Sequence, residues 1–307
     1  MSGMRPLVSV VVCTYNGERF LKDQLDSLVD QSYTPVEIII VDDCSTDGSF
    51  GIASSYGEKY SQIRLYQNPK NIGYIKNFEK AITLSKGEYI ALCDQDDVWD
   101  REKVHELIKQ IKSDVLIYHD SQFIDEEGHV LDKKLSDVVN LYAGDKPEAF
   151  VFFNCISSHA VMFKRELIDH LLPFPSSGFH DAWIGYVACN LGTISFMDRC
   201  LVQYRQHQSS ATDILKRKGQ VAKPKRATRY ENKLNFIKSC SELPINKRPE
   251  IIDKLYRLYQ ERRKKRFSYS LMLFFLRHYR TLFFIYKKSF FSKINFILKH
   301  SRRITAD

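Results

Sequence analysis

Three carboxylates fall within four residues at Asp94-Gln95-Asp96-Asp97, directly after the apolar run Tyr89-Ile-Ala-Leu-Cys93. Like charges this close at the mouth of a buried strand repel one another unless a cation or the donors of a ligand offset them. A divalent metal holding a diphosphate is the natural counterweight. An apolar strand ending in acids is also how open α/β sheets present a ligand, in the crevice outside the carboxyl ends of their strands. The competing reading is a solvated acidic turn that caps a helix starting near Val98-Trp99.

A second strand ends the same way. Glu37-Ile-Ile-Ile-Val41 is a continuous apolar run rich in β-branched residues, and it stops at Asp42-Asp43-Cys44-Ser45-Thr46-Asp47-Gly48. Between the two acidic ends lies Asn68-Pro-Lys-Asn-Ile-Gly-Tyr-Ile-Lys-Asn77, where Gly73 relaxes the backbone and Lys76 brings a positive charge. The first strand, Leu7-Val-Ser-Val-Val-Val-Cys13, ends in Thr14-Tyr15-Asn16-Gly17, and Tyr15 offers a ring on which a base can stack. An acidic pair, an amide-rich loop and a metal-type tetrad would together make a nucleotide-diphosphate site.

The elements that must hold these groups alternate. Helices are expected over Phe20 to Gln31, Phe50 to Tyr60, Gly73 to Leu84 and Arg101 to Ile111, and a short strand over Val115 to His119. Gly128 to Val139 reads as a hairpin or loop, and Ala149 to Ile156 and Ala160 to Phe163 as further apolar runs. Alternating strands and helices predict an α/β fold with a mostly parallel sheet.

The succession Val10 to Gly17, Val41 to Asp47, Asn68 to Asn77 and Asp94 to Asp97 resembles family-2 glycosyltransferases of the GT-A fold, in order and in spacing over roughly the first two hundred residues. Within that family the form Asp-Gln-Asp-Asp-Val-Trp, with Tyr204-Arg-Gln-His207 later, is most similar to bacterial rhamnosyltransferases that build cell-wall or capsular polysaccharide. The resemblance implies roles. Asp42 would accept from a pyrimidine N–H with Tyr15 against the ring and Thr14 beside it, while Asn71, Lys76 and Asn77 lie near the base or phosphates. Asp94 would sit by the ribose or deoxyribose. Asp96 would bind Mn²⁺ or Mg²⁺, with Asp43 and Asp97 in support. Arg205 and His207 fall where the family closes the donor site, as partners of the phosphate or the metal. Ser209 or Ser210 stands where relatives often carry Asn.

Inverting transfer needs a carboxylate that removes a proton from the acceptor hydroxyl. Asp181, in Gly178-Phe-His-Asp-Ala-Trp183, follows a Pro/Ser/Gly turn and opens an apolar stretch, so it reads equally as base or as a helix cap. The resemblance favours the base. His180 stands where many relatives have Glu, and would orient Asp181, touch the acceptor or fill space.

Composition fits an intracellular enzyme. Seven scattered cysteines without a Cys-x-x-Cys spacing suggest neither a disulfide framework nor a zinc site. The chain runs into its first strand without a basic segment and apolar signal core, which predicts cytoplasmic residence. From Arg262 to Ala306 thirteen Lys or Arg residues stand with no Asp or Glu, more than the whole formal excess of +9. Phe267, Tyr269, Leu273, Phe284, Phe290, Phe291 and other apolar residues interleave with them. So basic and aromatic a segment reads as interfacial helices on the anionic inner face of the plasma membrane, although it could instead dock its aromatic face on the catalytic domain. Arg277, Arg280, Lys287 and Lys288 interrupt it too often for a membrane span. No nucleic-acid motif accompanies the charge, so nucleic acid is not an expected partner. The tail could also mediate a homodimer.

The expected organisation is a glycosyltransferase domain over 1–215, with a nucleotide-binding half at 1–100 and an acceptor-binding half at 101–215. The run Lys216 to Tyr230 leads as a linker into a basic helical appendage over 216–307. A dinucleotide-dependent oxidoreductase would need Gly-x-Gly-x-x-Gly after its first strand, where Thr14-Tyr-Asn-Gly17 has one glycine; the P-loop element is likewise missing. The expected activity is metal-dependent transfer of L-rhamnose from dTDP-β-L-rhamnose to a glycan that the tail and the family imply is lipid-linked. The rivals are a UDP-hexose or UDP-N-acetylhexosamine transferase of the same fold, and a non-catalytic peripheral membrane protein that binds a nucleotide sugar or glycan.

Overall fold

The computed structural model describes residues 5–208, 215 and 226–302. Two compact units emerge. The first takes Met1–Asp137, Ile156–Phe174 and Ile194–Arg217; the second takes Val138–Cys155, Pro175–Thr193 and Lys218–Asp307.

The first unit is built on one mixed sheet. Strands β1 (Val8–Thr14), β2 (Val36–Asp42), β3 (Ile63–Gln67) and β4 (Tyr89–Cys93) alternate with helices α1 (Glu18–Val29), α2 (Ser49–Lys59) and α3 (Tyr74–Leu84). They lie parallel in the order β3-β2-β1-β4. Val8, Val10, Val11 and Val12 of β1 and Ile38, Ile39, Ile40 and Val41 of β2 are all buried, which explains runs that do not alternate: both faces are covered. Helix α1 contributes Phe20, Leu21, Leu25 and Leu28 from a single face. The register sets Thr14 opposite Asp42 and Val12 opposite Cys93, so three strands end level and deliver Thr14, Asp42 and Asp94 to one edge.

After the tetrad the chain does not enter a helix. Val98–Trp99 forms a short strand, β5, antiparallel to β9 (Ile194–Arg205), and helix α4 (Lys103–Ile111) begins later. Trp99 is buried and its backbone N–H donates to Ser27 Oγ at 3.1 Å, and this tethering draws the segment into the sheet. The helix-capping reading of the tetrad is thereby corrected: it connects two strands, and Asp97 is fully buried. Beyond α4, β6 (Leu116–Ile124) runs further than the expected strand, and β7 (Val130–Lys134) returns along it as a hairpin. Strand β8 (Val161–Lys164) bridges β4 and β6 antiparallel to both, α5 (Ile168–Leu171) follows it, and β9 lies parallel to β6.

The second unit is helical: α6 (His180–Leu191), α7 (Arg226–Ser241), α8 (Pro249–Glu261), α9 (Tyr269–Arg277), α10 (Tyr279–Leu282) and α11 (Phe290–Ser301). Of the expected linker, residues 216–225 lie outside the described residues and Tyr230 lies inside α7. Much of the tail's aromatic content is core. Phe152 meets Phe275 and Phe296 with ring centroids 5.3 and 5.9 Å apart, and Phe153 stacks on Tyr286 at 4.4 Å. Such pairs add about 0.5–1.5 kcal/mol each beyond the area they bury. Leu271, Phe274, Phe275, Phe283, Ile285 and Ile297 are buried, while Tyr269, Leu273, Leu276, Phe290 and Phe291 remain exposed. Among the described residues no helix is long and apolar enough to cross a membrane.

Candidate active site

At the level edge of β1, β2 and β4 the loops are tied together by their own hydrogen bonds. Gln95 reaches back to the end of β1: its Oε1 accepts from Thr14 Oγ1 at 3.0 Å and from the Tyr15 backbone N–H at 2.8 Å. Tyr15 is left 44% exposed, its ring open to a flat partner. Asp42 is fully buried, its carboxylate accepting from the Ser45 N–H and hydroxyl and from Gln67 Nε2 at 3.2 Å.

Asp43 organises the amide-rich loop. Its Oδ1 accepts from Asn68 Nδ2 at 2.7 Å and from the Ile72 N–H at 2.9 Å, and its Oδ2 from the Gly73 N–H at 2.8 Å. Gly73 sits at φ +84°, a conformation only glycine adopts without strain. Asn77 is buried, its amide donating to Val41 O at 2.8 Å and its carbonyl accepting from Asn68 at 2.9 Å. Asn71 is exposed, with Oδ1 accepting from the Gly73 N–H at 3.1 Å. The exposed Lys76 pairs with Glu79 at 2.6 Å.

The tetrad meets the end of β9. His207 Nε2 lies 2.7 Å from Asp96 Oδ2, both side chains largely buried. Arg205 is pinned rather than mobile: its N–H donates to Asp97 Oδ1 at 2.9 Å, its Nε to Asp96 O at 2.9 Å and its Nη1 to Glu126 O at 3.0 Å. Phe20 packs beneath, its ring 4.8 Å from both the His207 ring and the Arg205 guanidinium. The structure thus brings Asp94, Asp96, Asp97, Arg205 and His207 together from segments more than a hundred residues apart.

Two members of this cluster were not expected from sequence. His159 is buried, with Nδ1 3.5 Å from Asp94 Oδ2 and 3.4 Å from Asp97 Oδ2, and with Nε2 2.9 Å from Ser121 Oγ. Lys103 is fully buried, donates to His159 O and lies 3.3 Å from the centre of the Trp99 ring. Burial pushes the Asp97 carboxyl well above the usual carboxylate range, and the charges of Asp96 and Asp94 push the same way. Burial likewise lowers Lys103 to about 7 against the pull of Cys93, Asp97 and Asp94. A signal for Lys103 was present: it shares the α4 face of Leu107 and Ile111, where a lysine needs a buried partner. His159 had none, since it stands between two apolar runs with no acidic neighbour nearby in sequence.

Among the described residues Asp97 Oδ2 is buried and accepts no hydrogen bond. Carboxylate oxygens beside an imidazole are the donor set of a hard divalent cation, so the residues present fit Mn²⁺ or Mg²⁺. A second acidic group, Asp125, Glu127 and His129, is explained by turn geometry: Asp125 Oδ1 accepts from the N–H groups of Glu127 and His129.

The profile of glycosyl transferase family 2 matches residues 9–172, more than half of the chain and the stretch from β1 through α5. The chain belongs to glycosyl transferase family 2. An uncharacterised Haemophilus influenzae glycosyltransferase is 25% identical over 95% of this chain and 98% of its own length. A Bacillus subtilis glycosyltransferase, TuaG, assigned by its name to teichuronic acid biosynthesis, is 28% identical over 67% of this chain and 81% of its own. Among solved structures, residues 1–349 of S. aureus TarS in complex with UDP-GlcNAc superpose with a TM-score of 0.62 at 17% identity, covering 96% of this chain and 81% of that one. The fold of this family-2 glycosyltransferase is GT-A, with helices C-terminal to the sheet domain.

The candidate base of the glycosyltransferase lies in the second unit. Asp181 is in the first turn of α6, half-buried, its Oδ1 2.8 Å from the Ala182 N–H, and His180 before it is buried. Gly178 at φ +92° makes the preceding turn; an added Cβ there would stand 2.5 Å from the Phe236 ring.

Proposed function

We propose that this glycosyltransferase transfers a sugar, with inversion, from a pyrimidine nucleoside-diphosphate donor to a hydroxyl of a glycan destined for the bacterial surface. The observation that carries the reading is the 2.7 Å pairing of Asp96 with His207, which joins the acidic tetrad to the end of β9 beside Arg205 and Asp94. In the proposed donor site Tyr15 stacks on the base, Asp42 accepts its ring N–H, and Asp94 faces the ribose or deoxyribose. Asn71 and Lys76 lie toward the base or phosphates; Asp43 and Asn77 act by holding their loop, and Arg205 by fixing the tetrad's backbone. Asp96 and His207 would hold Mn²⁺ or Mg²⁺, with Asp97 and His159 behind them; when bound, the ion supplies charge neutralisation for the departing diphosphate. The Asp181 carboxylate takes the acceptor's hydroxyl proton as that oxygen bonds to the anomeric carbon and the bond to the diphosphate oxygen breaks.

The proposed donor is dTDP-β-L-rhamnose, supported by the Asp-Gln-Asp-Asp-Val-Trp form and Tyr204-Arg-Gln-His207. TarS with UDP-GlcNAc, a likeness that spans nearly the whole chain, favours a second reading with a uridine donor. TuaG, by its name, supports a cell-wall polysaccharide as the product. The acceptor is proposed to be lipid-linked and the enzyme peripheral at the cytoplasmic membrane face, because exposed Tyr269, Leu273 and Leu276 lie at helical spacing on α9 and exposed Phe290 and Phe291 open α11 among lysines.

Release of nucleoside diphosphate from dTDP-, UDP- and GDP-sugars, with and without Mn²⁺ or Mg²⁺ and with a rhamnosylated lipid acceptor, tests the reading. Metal-dependent turnover of dTDP-rhamnose alone is the expected result. Turnover only with a uridine donor replaces the sugar. Binding of a donor without turnover of any overturns the enzymatic reading.

A further inference from the structure

His159 stands on the short turn Ser158–Ala160 that leads into β8, buried and held from three directions. Its Nε2 lies 2.9 Å from Oγ of Ser121, a buried residue of β6. Its ring lies 4.1 Å from the Tyr204 ring of β9, centre to centre. Its carbonyl accepts from Lys103 Nζ, which reaches it from α4 across the Trp99 ring. Ring and backbone are thereby fixed by α4, β6 and β9 together. Nδ1 is left facing Asp94 Oδ2 at 3.5 Å and Asp97 Oδ2 at 3.4 Å.

The tautomer follows from these contacts. A bare nitrogen turned toward carboxylate oxygens would set lone pair against lone pair, so Nδ1 carries the hydrogen. The Ser121 hydroxyl then donates to the Nε2 lone pair; among the described residues Ser121 Oγ makes no other hydrogen bond. Asp94 depends on this arrangement more than its neighbours do. Asp96 has His207 at 2.7 Å and Asp97 has the Arg205 N–H at 2.9 Å, whereas among the described residues the Asp94 carboxylate has only His159 as a polar partner. Its side chain is 36% exposed at the edge of the sheet, where a carboxylate turns freely unless a fixed donor selects one orientation.

We propose that His159 is a positioning residue of the donor site: its Nδ1–H, fixed by Ser121, aims the Asp94 carboxylate at the ribose or deoxyribose of the nucleotide. The part played by Asp94 there rests on the function proposed above, and the hydrogen on Nδ1 does not.

The full chain, isotope-labelled at the histidine nitrogens, reads the ring directly. The His159 signals, assigned by their loss in His159→Asn, should show Nδ1 bearing the hydrogen; a bare Nδ1 overturns the proposal. Calorimetric binding of dTDP and UDP with Mn²⁺ present reads the consequence. An Asn amide nitrogen stands near the place of Nδ1 and a Gln amide nitrogen near that of Nε2. His159→Asn should therefore bind within about threefold of the natural chain and His159→Gln about tenfold more weakly. In an Asp94→Asn background His159→Gln should weaken binding no further, because the two act as a pair. A merely structural His159 would lower affinity alike in both backgrounds and alike as Asn and as Gln, and either result overturns the proposal. Should the His159 variants fail to fold, Ser121→Ala removes a single hydroxyl, and an unaltered ring spectrum with unaltered affinity there overturns it. A natural chain that binds neither nucleotide removes the donor reading, and the role of Asp94 with it, whereas intact binding with insensitive variants removes this proposal alone.

Discussion

Asp96 and Asp181 are the residues whose chemistry the proposed mechanism separates. Asp96 is largely buried and contacts His207, so Asp96→Asn keeps the volume and the hydrogen bond while removing the charge that a divalent ion requires. Donor turnover should fall by a hundredfold or more, on the order of the several kcal/mol attributed to charge stabilisation at such sites, with an unchanged circular dichroism spectrum. Undiminished metal-dependent turnover in that variant would remove Asp96 from the metal. Asp181→Asn should bind the donor with unaltered affinity and lose transfer to the acceptor; normal transfer would reduce Asp181 to a helix-terminal residue. Both acids stand out as candidates in the sequence because their neighbours are distinctive. His159 does not, because its meaning comes from Asp94 and Asp97, which only the folded chain sets within 3.5 Å of it.

At the scale of elements, the three parallel strands β1, β2 and β3 are stitched by Glu37 of β2. It accepts from Ser9 of β1 and Arg64 of β3, and from the Lys86 N–H at 2.6 Å. Burial pushes the Glu37 carboxyl up, but the Ser9 hydroxyl, the Lys86 amide and Arg64 outweigh it and hold it below the usual value. A carboxyl lowered in the folded state contributes stability above its unfolded pKa, near 4.3, and loses it as pH falls through the folded value. Glu37→Gln should therefore cost about 1 kcal/mol at neutral pH, with the natural and variant proteins converging in acid; urea titrations across that range measure it. A difference that instead grew toward acid pH would contradict the assignment. The helices α1 to α4 were readable to within a few residues because their apolar faces repeat at the helical period. Val98–Trp99 misled, since two residues carry no period and their strand exists only because β9 lies beside them.

At the scale of the whole molecule, the basic aromatic tail divides its work. Phe275, Phe283 and Ile297 form core within the helical unit, whereas Phe290 and Phe291 are 62% and 83% exposed beside Lys287, Lys288 and Lys293. If these exposed residues meet lipid, Phe290→Ser with Phe291→Ser should reduce co-sedimentation with phosphatidylglycerol vesicles by roughly tenfold without lowering thermal stability, and salt should weaken what remains. Full binding by the double variant would exclude this patch as the contact.

The sequence alone determined the family, the strand-and-helix alternation and the acidic strand ends, because burial on both faces of a parallel sheet demands unbroken apolar runs and a crevice at their carboxyl ends leaves the polar residues to follow them. Tertiary structure decided which of those side chains meet. It placed His207 against Asp96, buried Asp97 beside His159 and Lys103, and turned Phe274, Phe275 and Phe283 of the tail into core. The physical reason is the same in each case: which side chains meet is set by sheet register and tertiary packing, which no local pattern encodes.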